Sequence, residues 1–331
     1  MYKLLVVPTI REKCIQEFLE AWMSDSLGGW DEVVIVEDNP EPTFKLKRPD
    51  RPIYHFSWKD IESDLGEDSC IISRRDSAIR SYGFWKAHQM GADYIFTLDD
   101  DCFPTDSIDS EHTFCNQHIK MIEETPKWTE SILGLRTRGL PYINKGKMTN
   151  VVANMGFWEN TPDFDAVETI AKYNCNIKGF KVPANVNRII PSGQYFPLCG
   201  MNFAFKRKVA VLSYFPLMGI NSPYRRFDDI WFGIIFKKIC DHLKLAVSVG
   251  GPTINHLRAS EPMVNLVKEA PGIALNEKFW EIIEGIYLSP EDSTPERCMF
   301  VIGEKLINMD DNYIQRLGEA ICKWTRLFDE R

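Results

Sequence analysis

Short runs rich in β-branched and aromatic residues alternate with longer amphipathic stretches through the first hundred residues, and this alternation restricts the fold more than any other feature. The runs predict strands and the amphipathic stretches predict helices. The runs at 33–36 and 94–98 are largely apolar on both faces, which is typical of central strands covered by helices on both sides. In chain order the segments are residues 4–7, 12–23, 33–36, 77–90 and 94–98. The sequence therefore predicts an α/β protein with an open, largely parallel sheet flanked by helices.

Polar residues directly follow three of the predicted strands, at residues 8–11, 37–39 and 99–101. In an open α/β sheet, ligands bind outside the carboxyl ends of the strands. We therefore expect these three loops to converge on one crevice.

A later helix is predicted over residues 227–243, followed by another strand at 246–249. The first turn of this helix contains Asp228 and Asp229. Carboxylates at that position are favoured by the positive end of the helix dipole. Dipole complementarity alone is thus a sufficient reason for the two aspartates.

The C-terminal part of the chain has a helical pattern without further predicted strands. Stretches 276–287 and 311–328 have apolar residues at helical spacing. The sequence thus divides into residues 1–270, which carry the sheet, and residues 271–331, a helical appendage that also suits assembly into a homo-oligomer.

The charge balance excludes several classes of partner. The formal net charge is −8, and no long basic run provides the electrostatic footprint of a nucleic-acid binder. No stretch approaches the roughly 18 apolar residues that a membrane-spanning helix requires, and the start of the chain has no signal-peptide pattern. We therefore expect a cytoplasmic protein with no nucleic-acid partner and no integral membrane segment.

Three consecutive carboxylates, Asp99, Asp100 and Asp101, directly follow a predicted buried strand. Adjacent like charges repel, so their concentration at the rim of a sheet favours a bound cation. Oxygen ligands select a hard dication such as Mn²⁺ or Mg²⁺, which proteins commonly hold together with substrate phosphates. An acidic turn that caps the next segment is the alternative. Because the chain contains neither a P-loop nor a Gly-x-Gly-x-x-Gly run after the first strand, any phosphate must bind through metal and side chains.

Seven motifs extend this interpretation to a family. They lie at residues 6–11, 76–80, 98–102, 156–166, 196–202, 226–231 and 256–260, in order and at compatible spacing. Together they resemble the reversibly glycosylated polypeptides, which are UDP-arabinopyranose mutases of the GT-A glycosyltransferase type. The resemblance covers roughly residues 3–270 and implies that residues 1–270 form a GT-A catalytic domain that binds a nucleotide sugar.

The resemblance implies a nucleotide site at the ends of the first strands. Asp38 is the strongest uridine contact because a carboxylate accepts from the uracil N–H or a ribose hydroxyl, although it also suits a turn. Asp76 and Arg80 would face the nucleotide, with Arg80 at the diphosphate; a simple i,i+4 ion pair is the alternative. The complete set is Pro8, Thr9, Arg11, Asp38, Asp76, Arg80, Asp99 and Asp100.

The resemblance also implies a metal site and a neighbouring cation. Asp101 is the strongest ligand candidate, His256 is the third ligand, and Asp99 lies nearer the ribose or the water shell of the metal. Arg258, where the family usually has lysine, would keep a positive charge beside the phosphates and add a bidentate fork.

On the sugar side, the resemblance implies that Gly200 permits close backbone approach and that Asn202 offers a donor and an acceptor. A core strand is the alternative for this segment. Asp228 or Asp229 would contact sugar hydroxyls or act as a base near the anomeric carbon. Trp158, Asp163 and Asp165 fit a packed loop equally well, and they are not assigned to the site.

Arg138 resembles the family arginine that carries a reversibly attached sugar. A guanidinium is a poor nucleophile, so its glycosylation would need a nearby carboxylate and a reactive anomeric centre; a phosphate or sugar clamp is the alternative role. The family has a second arginine seven positions later, where this chain has Lys145.

The leading functional hypothesis is a metal-dependent mutase that interconverts the pyranose and furanose forms of a UDP-sugar. One alternative is a UDP-sugar glycosyltransferase that modifies another acceptor or itself. The other is a non-catalytic subunit that binds a nucleotide sugar, which the complete set of carboxylates disfavours.

Overall fold

The computed structural model of the chain describes residues 1–23, 26–46, 52–129, 138–173, 178–182, 187–220, 222–257 and 260–329. Within them the strands are β1 Lys3–Thr9, β2 Glu32–Glu37, β3 Ile53–Phe56, β4 Tyr94–Leu98, β5 Cys102–Pro104, β6 Val151–Asn160, β7 Arg188–Ile189, β8 Asn202–Lys206 and β9 Ala246–His256. They form one sheet in the order β3-β2-β1-β4-β8-β6-β9-β5, with β7 paired to β9.

The helices flank this sheet and continue beyond it. They are α1 Glu12–Met23, α2 Trp58–Leu65, α3 Arg80–Gln89, α4 Phe114–Glu123, α5 Ala166–Tyr173, α6 Asp228–His242, α7 Pro262–Glu284, α8 Pro295–Ile307 and α9 Asn312–Arg326. None of the helices in the described ranges is both long and apolar enough to cross a bilayer.

The predicted α/β sheet is confirmed, and its two halves differ in strand direction. Strands β3, β2, β1 and β4 are parallel to one another. From β8 onward the sheet is mixed, since β8 runs antiparallel to β4 and to β6, whereas β6 and β9 are parallel. In the parallel half, the loops that follow β1, β2 and β4 leave the same edge of the sheet.

Burial of the central strands matches their apolar sequences. All five residues of β4 are buried, and so are the five residues of β2 that follow Glu32. Helix α3 lies directly on this part of the sheet. A Cβ at Gly83 would come within 2.4 Å of the Val6 side chain, so only glycine permits that approach.

Strand register brings the end of β9 to the acidic loop. Cys102 of β5 pairs with His256 of β9 in an antiparallel ladder. The backbone N–H of Leu257 donates to the carbonyl of Asp101 at 2.9 Å. The chain therefore places His256 beside Asp101 through backbone pairing alone.

The C-terminal helices correspond to the predicted helical segment, with different bounds. Stretch 276–287 overlaps the second half of α7, which contains Pro271, runs through the predicted division at residue 270 and ends at Glu284. Stretch 311–328 is confirmed as α9. Helix α8 was not predicted, although Thr294 as N-cap and Pro295 in the first turn are both start signals.

A buried polar network joins α4 to strands β6, β8 and β9. The ring of His118 has no exposed surface, and its Nε2 lies 2.9 Å from Asn202 Oδ1. Its Nδ1 lies 2.8 Å from the side-chain nitrogen of Asn154. Both contacts are satisfied by a neutral ring in which Nε2 donates and Nδ1 accepts.

His118 predicts a loss of stability in mild acid. Burial lowers the pKa of His118 to about 3, although the hydrogen bond to Asn202 acts in the opposite direction. The unfolded chain therefore binds the proton first, near pH 6.5, and stability falls as the pH drops from there towards 3. Because of His118, we expect the free energy of unfolding to fall by about 2 kcal/mol between pH 7 and pH 5. Urea unfolding at both pH values should show that loss in the wild type but not in His118→Gln; an equal loss in both proteins would contradict it.

Candidate active site

The loops after β1, β2 and β4 converge, as the sequence predicts. The hydroxyl of Thr9 donates to Asp100 Oδ2 at 2.6 Å. The backbone N–H of Asp38 donates to the carbonyl of Thr9 at 2.8 Å. The crevice therefore has the acidic loop on one side and the end of β2 on the other.

Asp100 points into the protein rather than into the crevice. It is 2% exposed and accepts hydrogen bonds from Thr9 and from Nε and Nη2 of Arg11. Burial raises the pKa of Asp100, and the Arg11 charge opposes that shift. Asp100 thus anchors Arg11, whose side chain remains about one-third exposed at the crevice rim. Pro8 is buried within β1 beside Val36.

Asp101 and His256 form a pair suited to a metal ion. Nε2 of His256 lies 3.8 Å from Asp101 Oδ1. The other ring nitrogen, Nδ1, is 2.7 Å from the carbonyl of Thr161 and must therefore be the protonated one. In this tautomer the lone pair of Nε2 points towards Asp101. Histidines that bind a metal through Nε2 use the same tautomer.

Asp99 is held by Arg80 instead of joining that pair. The guanidinium of Arg80 is 2% exposed and donates to Asp99, to the hydroxyl of Thr97 and to the carbonyls of Ser77 and Gly200. Burial raises the pKa of Asp99, but the Arg80 charge and hydrogen bond outweigh it and leave the pKa below its usual value. The structure thus pairs Arg80 with Asp99, not with Asp76.

The donor chemistry of this region fits Mn²⁺ or Mg²⁺. A carboxylate and an imidazole nitrogen lie side by side at the mouth of the crevice, and such ions complete their shells with water and phosphate oxygens. Asp99 does not come within ligand distance of both partners. In the described part of the chain, one group of three residues has one possible ligand atom from each within 4.8 Å of the others, and it consists of Asp163, Cys199 and Asp229.

The predicted nucleotide side contains a buried carboxylate with an aromatic neighbour. Asp38 accepts from the indole N–H of Trp58 at 2.8 Å and from the backbone N–H of Asp76 at 2.9 Å. Burial raises the pKa of Asp38, although these hydrogen bonds lower it in part. The guanidinium of Arg75 lies over the Trp58 ring, 5.2 Å from its centroid. Trp58 and Arg75 are neighbours of the site that the sequence patterns did not single out.

Asp228 and Asp229 begin α6, as predicted, and face the crevice side of β8. The Ser77 hydroxyl donates to Asp228 at 2.9 Å, and the backbone N–H of Gly200 donates to Asp229 at 3.3 Å. Burial and the Asp228 charge raise the pKa of Asp229 well above its usual value. Burial likewise raises the pKa of Asp228, although Arg80 opposes it. Both carboxyl groups are therefore protonated more readily than an ordinary aspartate.

Gly200 and Asn202 have different surroundings. A Cβ at Gly200 would lie 2.8 Å from the Phe215 ring and 3.1 Å from Arg80, so the glycine permits close packing at this point. Asn202 has no exposed surface, and its amide donates to the carbonyls of Phe157 and Pro252. The structure therefore does not bring the Asn202 side chain to the crevice.

The last two predicted residues are Arg258 and Arg138, and only Arg138 can be placed. Arg258 falls outside the described residues. Arg138 is exposed, and no hydrogen bond or ion pair among the described residues joins it to the site carboxylates. Its loop closes through a bridge between Pro126 and Lys147, and the next strand begins at Val151, at the sheet edge opposite His256.

Helix α7 supports the site from outside the sheet. Glu269 is buried; one oxygen accepts from Arg226 Nε at 2.7 Å and the other from the Ala166 backbone N–H at 2.8 Å. Arg226 has a positive φ of 66°, which is costly for a residue with a side chain. Glu269 thereby fixes the turn that leads into Asp228 as well as the start of α5.

Glu269→Gln should weaken this support. The amide keeps the shape but loses the charge-assisted bond to Arg226, so we expect the free energy of unfolding to fall by about 2 kcal/mol. We also expect kcat to fall more than KM rises, because the substitution disturbs α6 rather than a direct substrate contact. Glu277→Gln, on an exposed position of the same helix, is the matched control. Equal kinetics and urea midpoints in both variants would contradict the role of Glu269.

The chain matches known proteins along almost its whole length. Its sequence is 34% identical to UDP-arabinopyranose mutase 2 of Arabidopsis thaliana, over 98% of this chain and 91% of that protein. It is 33% identical to UDP-arabinopyranose mutase 1 of Oryza sativa subsp. japonica, over 98% and 90% of the two chains.

Solved structures with a similar arrangement include glucosyl-3-phosphoglycerate synthase from Mycobacterium tuberculosis. Its complex with phosphoglyceric acid aligns with a TM-score of 0.45 and 12% identity, over 84% of this chain and 79% of that one. Its complex with Mn²⁺ and uridine-diphosphate-glucose gives the same TM-score and identity, over 84% of this chain and 78% of that one.

The predicted family resemblance is confirmed, and it extends beyond residue 270. The family model described as "Reversibly glycosylated polypeptide" matches residues 4–331, including the C-terminal helices. The chain belongs to the reversibly glycosylated polypeptide family.

Proposed function

We propose that this protein is a UDP-sugar mutase that interconverts the pyranose and furanose forms of its substrate with Mn²⁺ or Mg²⁺. The observation that carries the proposal is the Asp101–His256 pair, in which backbone register and the Thr161 hydrogen bond direct an imidazole lone pair towards a carboxylate. The family relatives that are named UDP-arabinopyranose mutases support the reaction type.

The nucleotide would lie along the edge of the parallel strands. Asp38, fixed by Trp58 and the backbone of Asp76, would accept a hydrogen bond from the uracil ring or the ribose. Arg11 would present its cation at the rim to the diphosphate. Asp101 and His256 would hold the metal, and Asp99 would contact the ribose or a water of the metal.

A bound dication would offset negative charge that develops on the departing diphosphate. Arg80 keeps Asp99 in its ionised, correctly oriented form, and it also fixes the carbonyl of Gly200. Asp228 and Asp229 would lie on the sugar side, where a protonated Asp229 donates a hydrogen bond to a sugar oxygen. These residues would hold UDP and the sugar together while the ring changes.

The location of Arg138 bears on self-glycosylation. Among the described residues Arg138 has no hydrogen bond or ion pair with the site carboxylates, and the contacts proposed above do not use a sugar attached to it. A cytoplasmic location and association through the C-terminal helices remain part of the proposal, to be checked by cell fractionation and by light scattering.

The decisive experiment incubates purified protein and Mn²⁺ with a panel of UDP-pyranoses, UDP-arabinopyranose among them. Chromatography then separates UDP-pyranose, UDP-furanose and free UDP, and mass spectrometry of the protein detects attached sugar. The mutase proposal expects UDP-furanose without net release of UDP. Free UDP with a glycosylated product would support a transferase instead, and binding without any product would support a non-catalytic subunit.

A further inference from the structure

A second group of side chains, Asp163, Cys199 and Asp229, is connected to Arg80 through Gly200 and lies close in the chain to Thr161, which orients His256. We propose that Asp163 and Asp229 form a proton-transfer pair that moves a proton between two oxygens of the sugar during the ring change. Asp163 would then be a further catalytic residue. The inference rests on the proposed mutase function and adds its acid–base chemistry.

The geometry of the group places two carboxyl groups close enough together to contact the same sugar. One carboxylate oxygen of Asp163, one of Asp229 and the sulfur of Cys199 all lie within 4.8 Å of one another. The Cys199 thiol donates to Asp163 Oδ2 at 3.0 Å, and the Gly200 backbone N–H donates to Asp229 Oδ2 at 3.3 Å. Adjacent residues of one segment thus orient both carboxyl groups.

The position of the pair links it to the diphosphate. Asp163 follows Thr161 by two residues, and the Thr161 carbonyl accepts the hydrogen bond that orients His256. On the other side, Gly200 connects Asp229 to Arg80, which holds Asp99. Both carboxyl groups are thus tied to segments that also position the proposed diphosphate site, and we place the sugar between them.

The surroundings of Asp229 favour its protonated form, and the charge of Asp163 contributes to this. Burial raises the pKa of Asp229 well above its usual value, the charges of Asp228 and Asp163 raise it further, and Arg80 opposes them. Burial also raises the pKa of the Cys199 thiol well above its usual value, so the thiol remains a donor to Asp163. Arg226, held by Glu269, is the other charged neighbour of Asp163 and Asp229.

The chemistry of a pyranose-to-furanose change requires this transfer. After the bond between C1 and the diphosphate oxygen breaks, O4 of the sugar adds to C1 while its proton passes to Asp163. The C1–O5 bond then breaks as O5 takes a proton from Asp229, and the diphosphate oxygen bonds to C1 again. One proton leaves O4 and one reaches O5, so the atoms balance, and the proton moves from Asp163 back to Asp229 to complete the cycle.

This chemistry defines the substrate class as UDP-pyranoses with a free 4-hydroxyl group. A 4-deoxy analogue lacks the oxygen that must add to C1, whereas its bond to the diphosphate is unchanged. We therefore expect the enzyme to cleave and re-form the C1–O bond of such an analogue without producing a furanose.

Two readouts separate the proton-transfer step from the proposed function. Substrate carrying ¹⁸O in the bridge between C1 and the β-phosphorus reports cleavage of that bond, because the label spreads to the other β-phosphate oxygens. Chromatography of UDP-furanose reports the ring change. Asp163→Asn should lose the ring change by at least about 100-fold but keep isotope exchange within about tenfold of the wild type.

Asp165→Asn is the matched control, since Asp165 is exposed in the same loop and only caps the start of α5. It should retain both activities. Thermal melting confirms that each variant is folded, and Cys199→Ser, which keeps a donor to Asp163, should retain the ring change.

Full interconversion by Asp163→Asn, or equal loss of both readouts in a folded Asp163→Asn, would overturn the proton-transfer role. A wild type that exchanges the label without forming a furanose would instead refute the proposed mutase function.

Discussion

Asp101→Asn should lower the rate of UDP-sugar conversion at least about 10³-fold, which corresponds to about 4 kcal/mol of transition-state stabilisation. The amide is nearly the same size but carries no charge. It therefore weakens the proposed metal site, where His256 Nε2 lies 3.8 Å away, and it loses the charge that faces Arg11 at 3.3 Å. Steady-state rates at increasing Mn²⁺ concentrations measure the effect, and excess metal should restore only a small part of the activity.

Asp106→Asn is the control for this substitution, because Asp106 is exposed five residues further on, just after β5. It should leave the rate within about twofold of the wild type, since surface substitutions away from the site have small effects. Wild-type turnover by Asp101→Asn at limiting Mn²⁺ would contradict the assignment of Asp101 as a metal ligand.

Arg80→Met should have the largest effect on stability. Arg80 is buried, and its removal leaves Asp99, Thr97 and the Gly200 carbonyl without their donor. Removal of one partner from a buried ion pair costs about 3–5 kcal/mol, and we expect a decrease of that size in the free energy of unfolding. Activity should be lost as well, because Gly200 and Asp99 both depend on this guanidinium for their position.

Arg80→Lys tests whether charge alone is sufficient. A lysine ammonium cannot reach several acceptors in the planar fork that Arg80 uses, so it should recover less than half of the lost stability. Arg188→Met, at an exposed position in β7, should change the free energy of unfolding by no more than about 0.5 kcal/mol. Urea unfolding followed by circular dichroism compares the variants, and wild-type stability of Arg80→Met would show that Arg80 does not organise the site.

The convergence of the site loops could be predicted because it depends on strand direction alone. Runs that are apolar on both faces indicate parallel central strands, and parallel strands end at the same edge. The contacts Thr9–Asp100 and Asp38–Thr9 are the result. The helix that begins with Asp228 was equally visible, because its acidic first turn is a local signal.

The division of roles among the three adjacent aspartates could not be predicted from their sequence. The chain turns sharply after β4, so that Asp99 meets Arg80, Asp100 meets Arg11 and Asp101 faces His256. Each direction depends on a partner from a distant segment. A run of three carboxylates therefore indicated a cation site without indicating which of them bind the cation.

Long-range contacts also explain the residues that the sequence did not reveal. Asp163 and Cys199 are 36 positions apart, and Glu269 lies 103 positions from Ala166, to which it is hydrogen-bonded. No local pattern encodes such pairs. Asn202 shows the converse. It belongs to a motif and has suitable chemistry for a sugar contact, but its side chain is part of the buried network around His118.

Approach to equilibrium from both directions tests the central claim most directly. Purified protein with Mn²⁺ is incubated in one tube with pure UDP-arabinopyranose and in another with pure UDP-arabinofuranose, and both mixtures are analysed by chromatography over time. The proposed mutase must bring both tubes to the same ratio of the two forms, with UDP still attached, and Asp101→Asn must leave both starting materials unchanged. Release of UDP without interconversion, in either tube, would contradict the proposal.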